Sequence, residues 1–247
     1  MHFENKIARI VGSLFIITMI VGMVDAYFVA PTLKTPLSNI LPNDVRVIAG
    51  AFLIIAMSVG IVAIAVCLYP VLKRYSEIIA ISYVSLRVIE CMLLLVGALV
   101  YFYLIGLSQE YINAGTPNAA YFNASFGLAI KLRYVAYQMA MIILGFGSMF
   151  LCYLLFQSKL VPRFISVWGL IGYLLLFASG LLDVLGIVDT VDGTGSMLYI
   201  PGGLWELLVF PMWLIVKGFN SSTGSHENVY QGFCSGSQKT ATAEKQR

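Results

Sequence analysis

One stretch of the chain, SYVSLRVIECMLLLVGALVYFYLIG from Ser82 to Gly106, is almost entirely apolar, yet it contains Arg87 and Glu90. A helix needs about 20 mostly apolar residues to cross about 30 Å of hydrocarbon, and this stretch is long enough to do so. Its apolar residues form a continuous run and do not alternate with polar ones, as they would in a barrel strand. The stretch therefore predicts a transmembrane helix that carries two opposite charges inside the membrane.

The composition of the whole chain supports a membrane location. Of its 247 residues, 60% are hydrophobic and 11% are charged, and the mean hydropathy is +0.88. Soluble domains carry about a quarter charged residues, so this chain lacks the polar surface that a soluble fold requires. The net charge is only +3, and no basic run exceeds Lys73-Arg74. No nucleic-acid partner is therefore predicted, and membrane lipids are the expected surroundings.

Six segments are long and apolar enough to cross a membrane. The predicted fold is an all-α transmembrane bundle of six helices at about 10–30, 47–68, 78–107, 128–156, 164–187 and 199–217. These helices form one domain, 1–219, and the polar residues 220–247 are predicted to be a disordered tail. The second helix carries no charge and is predicted to be the most lipid-exposed.

The distribution of lysine and arginine predicts the orientation. Cytoplasmic loops carry an excess of these residues. One side of the predicted bundle receives Lys6, Arg9, Lys73, Arg74, Lys159, Arg163 and Lys217. The other side receives Lys34 and Arg46, together with Lys131 and Arg133 if those two lie at the membrane edge. Both termini are therefore predicted to be cytoplasmic.

Arg87 is predicted to lie near the membrane midplane and to need a partner. An arginine at the centre of a transmembrane helix costs about 2.5–3.5 kcal/mol on insertion scales, so Arg87 should face the interior of the bundle. Glu90 lies three residues further on and shares its helical face. Tyr83 and Tyr101 continue this face at helical spacing, and other helices are expected to complete the polar site.

Polar residues of the other helices collect in the outer half of the predicted bundle. They suggest an outward-facing polar cavity that binds a small molecule, an ion or a lipid head group. The candidate ligand-binding residues are Arg87, Glu90, Glu206, Tyr83, Tyr101, Tyr137, Gln138, Arg133, Asp25 and Asp183. The alternative is a buried polar network that only fixes helix packing, because buried ion networks can serve specificity alone.

Several kinds of chemistry have no support in the sequence. The only histidines are His2 and His226, both outside the predicted spans, so no metal site and no cofactor are predicted. No serine or cysteine can pair with a histidine inside the membrane, and no catalytic residue is proposed. An enzyme that uses carboxylates and arginine on a lipid-like substrate is kept as an alternative to binding, transport or sensing.

Three stretches carry a resemblance to a known family. They are RVIE at 87–90, KLVPRFISVWGLIGY at 159–173 and GLWELLVFPMWLIVKGF at 203–219. The chain resembles the bacterial and archaeal membrane family called domain of unknown function 4386. The resemblance implies a six-helix integral protein of a prokaryotic plasma membrane. It implies no activity, ligand or oligomeric state.

Overall fold

The computed structural model describes residues 2–35, 37, 44–114, 119–190 and 193–220, and this part of the chain contains helices and connections but no strand. The prediction of an all-α fold is confirmed. Six helical segments are long and apolar enough to cross a membrane, as predicted. The predicted tail lies outside the described residues, apart from Asn220.

The first five spans are built on long α-helices. These are α1 (His2–Val24), α2 (Val45–Leu72), α3 (Glu77–Ala114), α4 (Ala119–Ser158) and α5 (Arg163–Val184). A π-helical turn, Asp25–Val29, and a 3₁₀ turn, Ala30–Lys34, continue α1. At the start of α2, the Asp44 carboxylate accepts the backbone N–H of Arg46 at 2.9 Å, which satisfies one of the unpaired donors of a helix start.

The sixth span is divided into short pieces. It begins with a 3₁₀ turn, Thr194–Tyr199, and continues as α6 (Ile200–Leu204), a π-helical turn (Trp205–Val209) and α7 (Phe210–Val216). A π-helical turn holds one extra residue compared with an α-helical turn, and such turns occur frequently at functional sites. The two π-helical turns therefore mark the first and sixth spans for closer inspection.

The helices pack as a closed ring. Each span contacts the next one along the chain, and α7 of the last span packs against α1 of the first. The beginning of α1 and the end of the sixth span meet at one end of the ring: Gly218 has a positive φ of 73° and lies against the Asn5 side chain. Arg74 forms an ion pair with Glu4 at the same end. We call this the proximal end, and the opposite end, where α3 joins α4, the distal end.

The α3–α4 pair is longer than the sequence predicted. The third helix, expected to end at Leu107, runs to Ala114, and the fourth, expected to begin at Leu128, starts at Ala119. With 38 and 40 residues, the two helices measure about 57 and 60 Å, twice the hydrocarbon thickness. An edge-to-face contact between Tyr111 and Phe122, with ring centroids 5.8 Å apart, joins them beyond the apolar run. The predicted ends were too short because hydropathy shows only where the apolar run ends, and both helices continue beyond it.

The second span is not the most lipid-exposed one. In its most apolar window, 39% of the residues are buried inside the protein, compared with 33% in the first and sixth spans. The prediction for this span was wrong because absence of charge says nothing about packing. Small and branched residues of α2, such as Gly50, Ala51 and Ile54, pack against neighbouring helices.

Candidate functional site

The Arg87 side chain lies in the interior of the bundle and is 2% exposed. All three guanidinium nitrogens donate to side chains. Nε donates to the Tyr83 hydroxyl at 3.1 Å, and Nη1 donates to the Glu90 carboxylate at 3.0 and 3.4 Å. Nη2 donates to Ser148 Oγ at 3.3 Å and to Glu206 Oε1 at 3.4 Å. We call these five residues the Arg87 cluster, which joins α3, α4 and the second π-helical turn.

Aromatic packing fixes the position of Glu206 beside Arg87. Its neighbour Trp205 is fully buried, stacks on Phe210 at a centroid distance of 4.4 Å and lies edge-to-face with Tyr173 at 5.3 Å. The Trp205 indole Nε1 donates to the Ile165 carbonyl at 2.7 Å. The π-helical turn is thereby anchored to α5, and its carboxylate points to the arginine.

A second cluster lies nearer the distal end and joins Asp25, Tyr101 and Arg133. The Tyr101 hydroxyl donates to Asp25 Oδ1 at 2.8 Å. Arg133 Nη2 donates to Asp25 Oδ2 at 3.0 Å and to the Tyr101 hydroxyl at 3.1 Å. The guanidinium carbon lies 4.9 Å from the centre of the Tyr101 ring, a cation–π arrangement. We call these three residues the distal cluster.

The distal cluster is more open than the Arg87 cluster. The Arg133 side chain is 22% exposed, whereas that of Arg87 is 3% exposed. Arg133 Nε is buried and has no hydrogen-bond partner among the described residues. The distal arginine is therefore partly exposed, and it keeps one buried donor that the described protein leaves unused.

A third cluster surrounds Asp183 at the end of α5. Its carboxylate accepts the Tyr134 hydroxyl, the Thr190 backbone N–H at 2.7 Å and the Thr190 hydroxyl at 2.6 Å. Gln138 Nε2 approaches the same threonine hydroxyl at 2.5 Å, and Gln138 Oε1 accepts the Tyr199 hydroxyl at 2.9 Å. This arrangement ties the connection after α5 to α4. In these contacts the Asp183 carboxylate accepts three neutral donors and meets no cation. Such an arrangement is typical of a structural contact that holds a connection in place.

A family model named "Domain of unknown function (DUF4386)" matches residues 10–218. The chain belongs to the DUF4386 family. The resemblance read from the sequence is thus confirmed, and all three clusters lie inside the matched region. The chain matches none of the curated proteins and none of the solved structures with which it was compared.

The candidate residues of this DUF4386 protein do not form one cavity. Tyr83 and Tyr101 lie on one face of α3, about five turns apart, which is about 27 Å at 1.5 Å per residue. Tyr101 is therefore remote from Arg87, although both lie on the helical face that the sequence predicted. Tyr137 is 38% exposed and lies within electrostatic range of Arg133, Asp25 and Tyr199, between the distal and Asp183 clusters.

Sequence reasoning missed three polar side chains of these clusters, Tyr134, Thr190 and Tyr199. A fourth, Ser148, was noted among the polar residues of the fourth helix but was not included in the candidate ligand-binding residues. Ser148 carries a usable signal, because a serine in an apolar helix must satisfy its hydroxyl inside the bundle. Thr190 carries none, because its position depends on how the connection after α5 folds back. Within the described part of the chain, no group of three His, Cys, Asp or Glu side chains is placed to hold a metal ion.

Proposed function

We propose that this DUF4386 protein is a non-catalytic integral protein of a prokaryotic plasma membrane, which binds the anionic group of a small molecule or lipid at its distal cluster. The observation that carries this proposal is the Arg133 side chain, partly exposed and with a buried Nε that lacks a partner among the described residues. Arginine presents several N–H donors in a planar fork that matches carboxylates and phosphates.

The orientation of the protein belongs to the same proposal. The proximal end carries Lys73, Arg74, Lys159, Arg163 and Lys217 near the ends of the spans. The positive-inside rule places such an end in the cytoplasm. The distal cluster then opens to the outside, and a ligand reaches it without crossing the membrane.

The chemistry of the distal cluster suits reversible binding. Tyr101 holds the Arg133 guanidinium by a hydrogen bond and by its ring, so the donor fork is already oriented. Asp25 occupies one side of the fork and competes with an incoming anion. An anion would compete with Asp25 for Nη2, and a movement of the side chain would let the buried Nε donate to it as well. Binding is therefore expected to be moderate and to strengthen when the Asp25 charge is removed.

The Arg87 cluster supports a second candidate role, which is structural. All three Arg87 nitrogens are bonded to protein and the side chain is almost fully buried, so a ligand would have to displace existing bonds. Such a closed network fixes helix register. We assign ligand binding to Arg133 and helix positioning to Arg87, which moves the site away from the residue that the sequence favoured.

The experiment uses the full chain in nanodiscs of a zwitterionic lipid, titrated with inorganic phosphate and, separately, with succinate. We expect saturable thermal stabilisation that is lost in Arg133→Gln and becomes stronger in Asp25→Asn. Lys131→Gln is the matched control, because it removes an equal charge from an exposed side chain two residues away. An equal response of Arg133→Gln and the unmodified chain would contradict the proposal.

A second set of nanodiscs identifies the source of the anionic group. These discs contain phosphatidylglycerol in place of part of the zwitterionic lipid. If this lipid alone stabilises the protein and the effect depends on Arg133, the ligand is a lipid head group. If the soluble anions stabilise it, the ligand is a free solute. Absence of both responses would refute anion binding at this site.

A further inference from the structure

The Arg87 cluster contains two carboxyl groups and only one guanidinium. Glu90 and Glu206 both contact the single guanidinium of Arg87, at 3.0 and 3.4 Å. The three side chains are 2%, 12% and 3% exposed, respectively. With both carboxylates ionised, the cluster would carry one uncompensated negative charge inside the bundle. Burial of an unpaired charge costs several kcal/mol, so such a site binds a positive partner or a proton.

The groups that face the two carboxylates do not supply a second positive charge. The packed elements α3, α4 and α5 each present neutral or acidic groups within electrostatic range. These groups are Tyr83 and Cys91 of α3, Cys152 of α4 and Tyr173 of α5. Within the described part of the chain, the ionised groups that act on Glu90 are Arg87 and Glu206. These neighbours therefore supply no second positive charge for the two carboxyl groups.

Tyr173 gives independent support for an additional bound species. Its side chain is fully buried, and its hydroxyl has no hydrogen-bond partner among the described residues. It lies within electrostatic range of Glu206 and Arg87, and its ring contacts Trp205. A buried hydroxyl without a partner is costly, and after a small movement it can donate a hydrogen bond to a carboxylate oxygen or accept one from a protonated carboxyl. The polar neighbourhood of Glu206 is thus not fully satisfied in the closed structure.

We propose that Glu90 and Glu206 share one exchangeable proton, which makes the Arg87 cluster an intramembrane proton-binding site. Two carboxylates that occupy one buried site cannot both ionise at low cost, and one proton neutralises the cluster. Glu206 is the more accessible of the two side chains and is the point of exchange with solvent. This site uses residues other than those of the distal cluster, so its success or failure is independent of anion binding there.

Infrared spectroscopy of the full chain in detergent at neutral pH tests the proposal. A protonated carboxyl has a C=O stretching band that shifts in deuterium oxide, whereas an ionised carboxylate lacks this band. We expect the band in the unmodified chain and its loss in both Glu90→Gln and Glu206→Gln, because each variant leaves one carboxylate opposite Arg87. Glu110→Gln, an exposed position on the same helix, is the control that retains the band.

The pH dependence of thermal unfolding gives a second readout. If the native state holds one more proton than the unfolded state, the unfolding constant rises tenfold for each pH unit between the range where ordinary carboxyls titrate and the pH at which the native site loses its proton. Glu206→Gln should remove this slope. An unmodified chain without the band at neutral pH would overturn the proposal, even if the variants fail to fold. A third outcome would also overturn the proposal: greater thermal stability in sodium chloride than in choline chloride at equal ionic strength, with the difference lost in Glu206→Gln. That result would show that the site binds a metal cation in place of a proton.

Discussion

The Tyr101 hydroxyl connects the two charged members of the distal cluster, because it donates to Asp25 and accepts from Arg133. Tyr101→Phe keeps the ring and removes both hydrogen bonds. We expect a loss of about 1–3 kcal/mol in the free energy of unfolding, the usual cost of leaving buried polar groups unsatisfied. Thermal unfolding in detergent measures the loss. Tyr103→Phe, on an exposed side chain of the same helix, should be neutral, and equal stability of the two variants would contradict this role.

At the level of single residues, the sequence predicted the pairs that are close along the chain. Arg87 and Glu90 lie three residues apart on one helix, and helical geometry alone places them together. Partners from other helices depend on how the spans rotate and shift against each other. The sequence therefore gave no reason to assign Glu206 to Arg87 and Asp25 to Arg133, although all four were recognised as candidates.

The helical elements approach each other closely where α5 crosses α6. A Cβ atom added at Gly172 would lie 2.8 Å from the backbone nitrogen of Gly202, too close for any real contact. Small residues allow such close approach of helices in membranes. Gly172→Ala should separate the two helices and cost about 1–3 kcal/mol, the usual range for overpacking. The midpoint of thermal unfolding measures this effect.

Gly203→Ala is the matched control for that variant. Gly203 lies on α6 beside Gly202, but an added Cβ would meet no atom within 4 Å. The substitution should be neutral or slightly stabilising, because alanine favours helix more than glycine by about 1 kcal/mol. A Gly172→Ala variant as stable as Gly203→Ala would show that the α5–α6 contact is not as tight as described.

Two elements share a feature that periodicity could not predict. The first π-helical turn begins with Asp25, the second contains Glu206, and each acid pairs with an arginine from another helix. The extra residue of a π-helical turn shifts the register of the following side chains. Hydropathy and helical spacing both assume a regular α-helix, so they placed these acids within spans but could not show where they point.

The whole molecule presents its polar side chains at two depths. The distal and Asp183 clusters lie at the level where α5 ends, because Tyr134 contacts Asp183 there. The Arg87 cluster lies deeper, about 15 Å from the start of α3 at Glu77. Composition predicted the membrane fold because hydrocarbon surroundings require apolar side chains over the whole length of every span. The division of the polar residues into separate clusters could not be predicted, because it depends on tertiary packing.

The orientation of the whole molecule is testable by cysteine labelling. In a chain whose native cysteines are replaced by serine, Tyr121→Cys places a thiol on the exposed distal part of α4. We expect this thiol to react with an impermeant maleimide added to intact cells. Tyr75→Cys, at the proximal end, should react only after the membrane is permeabilised. The reverse pattern would invert the orientation and place the distal cluster in the cytoplasm.

The depth of the Arg87 cluster has an electrical consequence. The membrane potential falls mainly across the hydrocarbon, and moving one elementary charge through all of it changes the energy by about 2.3 kcal/mol per 100 mV. A group near the middle experiences about half of that drop. A proton that enters Glu206 from one side would therefore cross part of the field, and its occupancy would depend on voltage. The charge of the buried Arg87 cluster would in this way depend on the membrane potential.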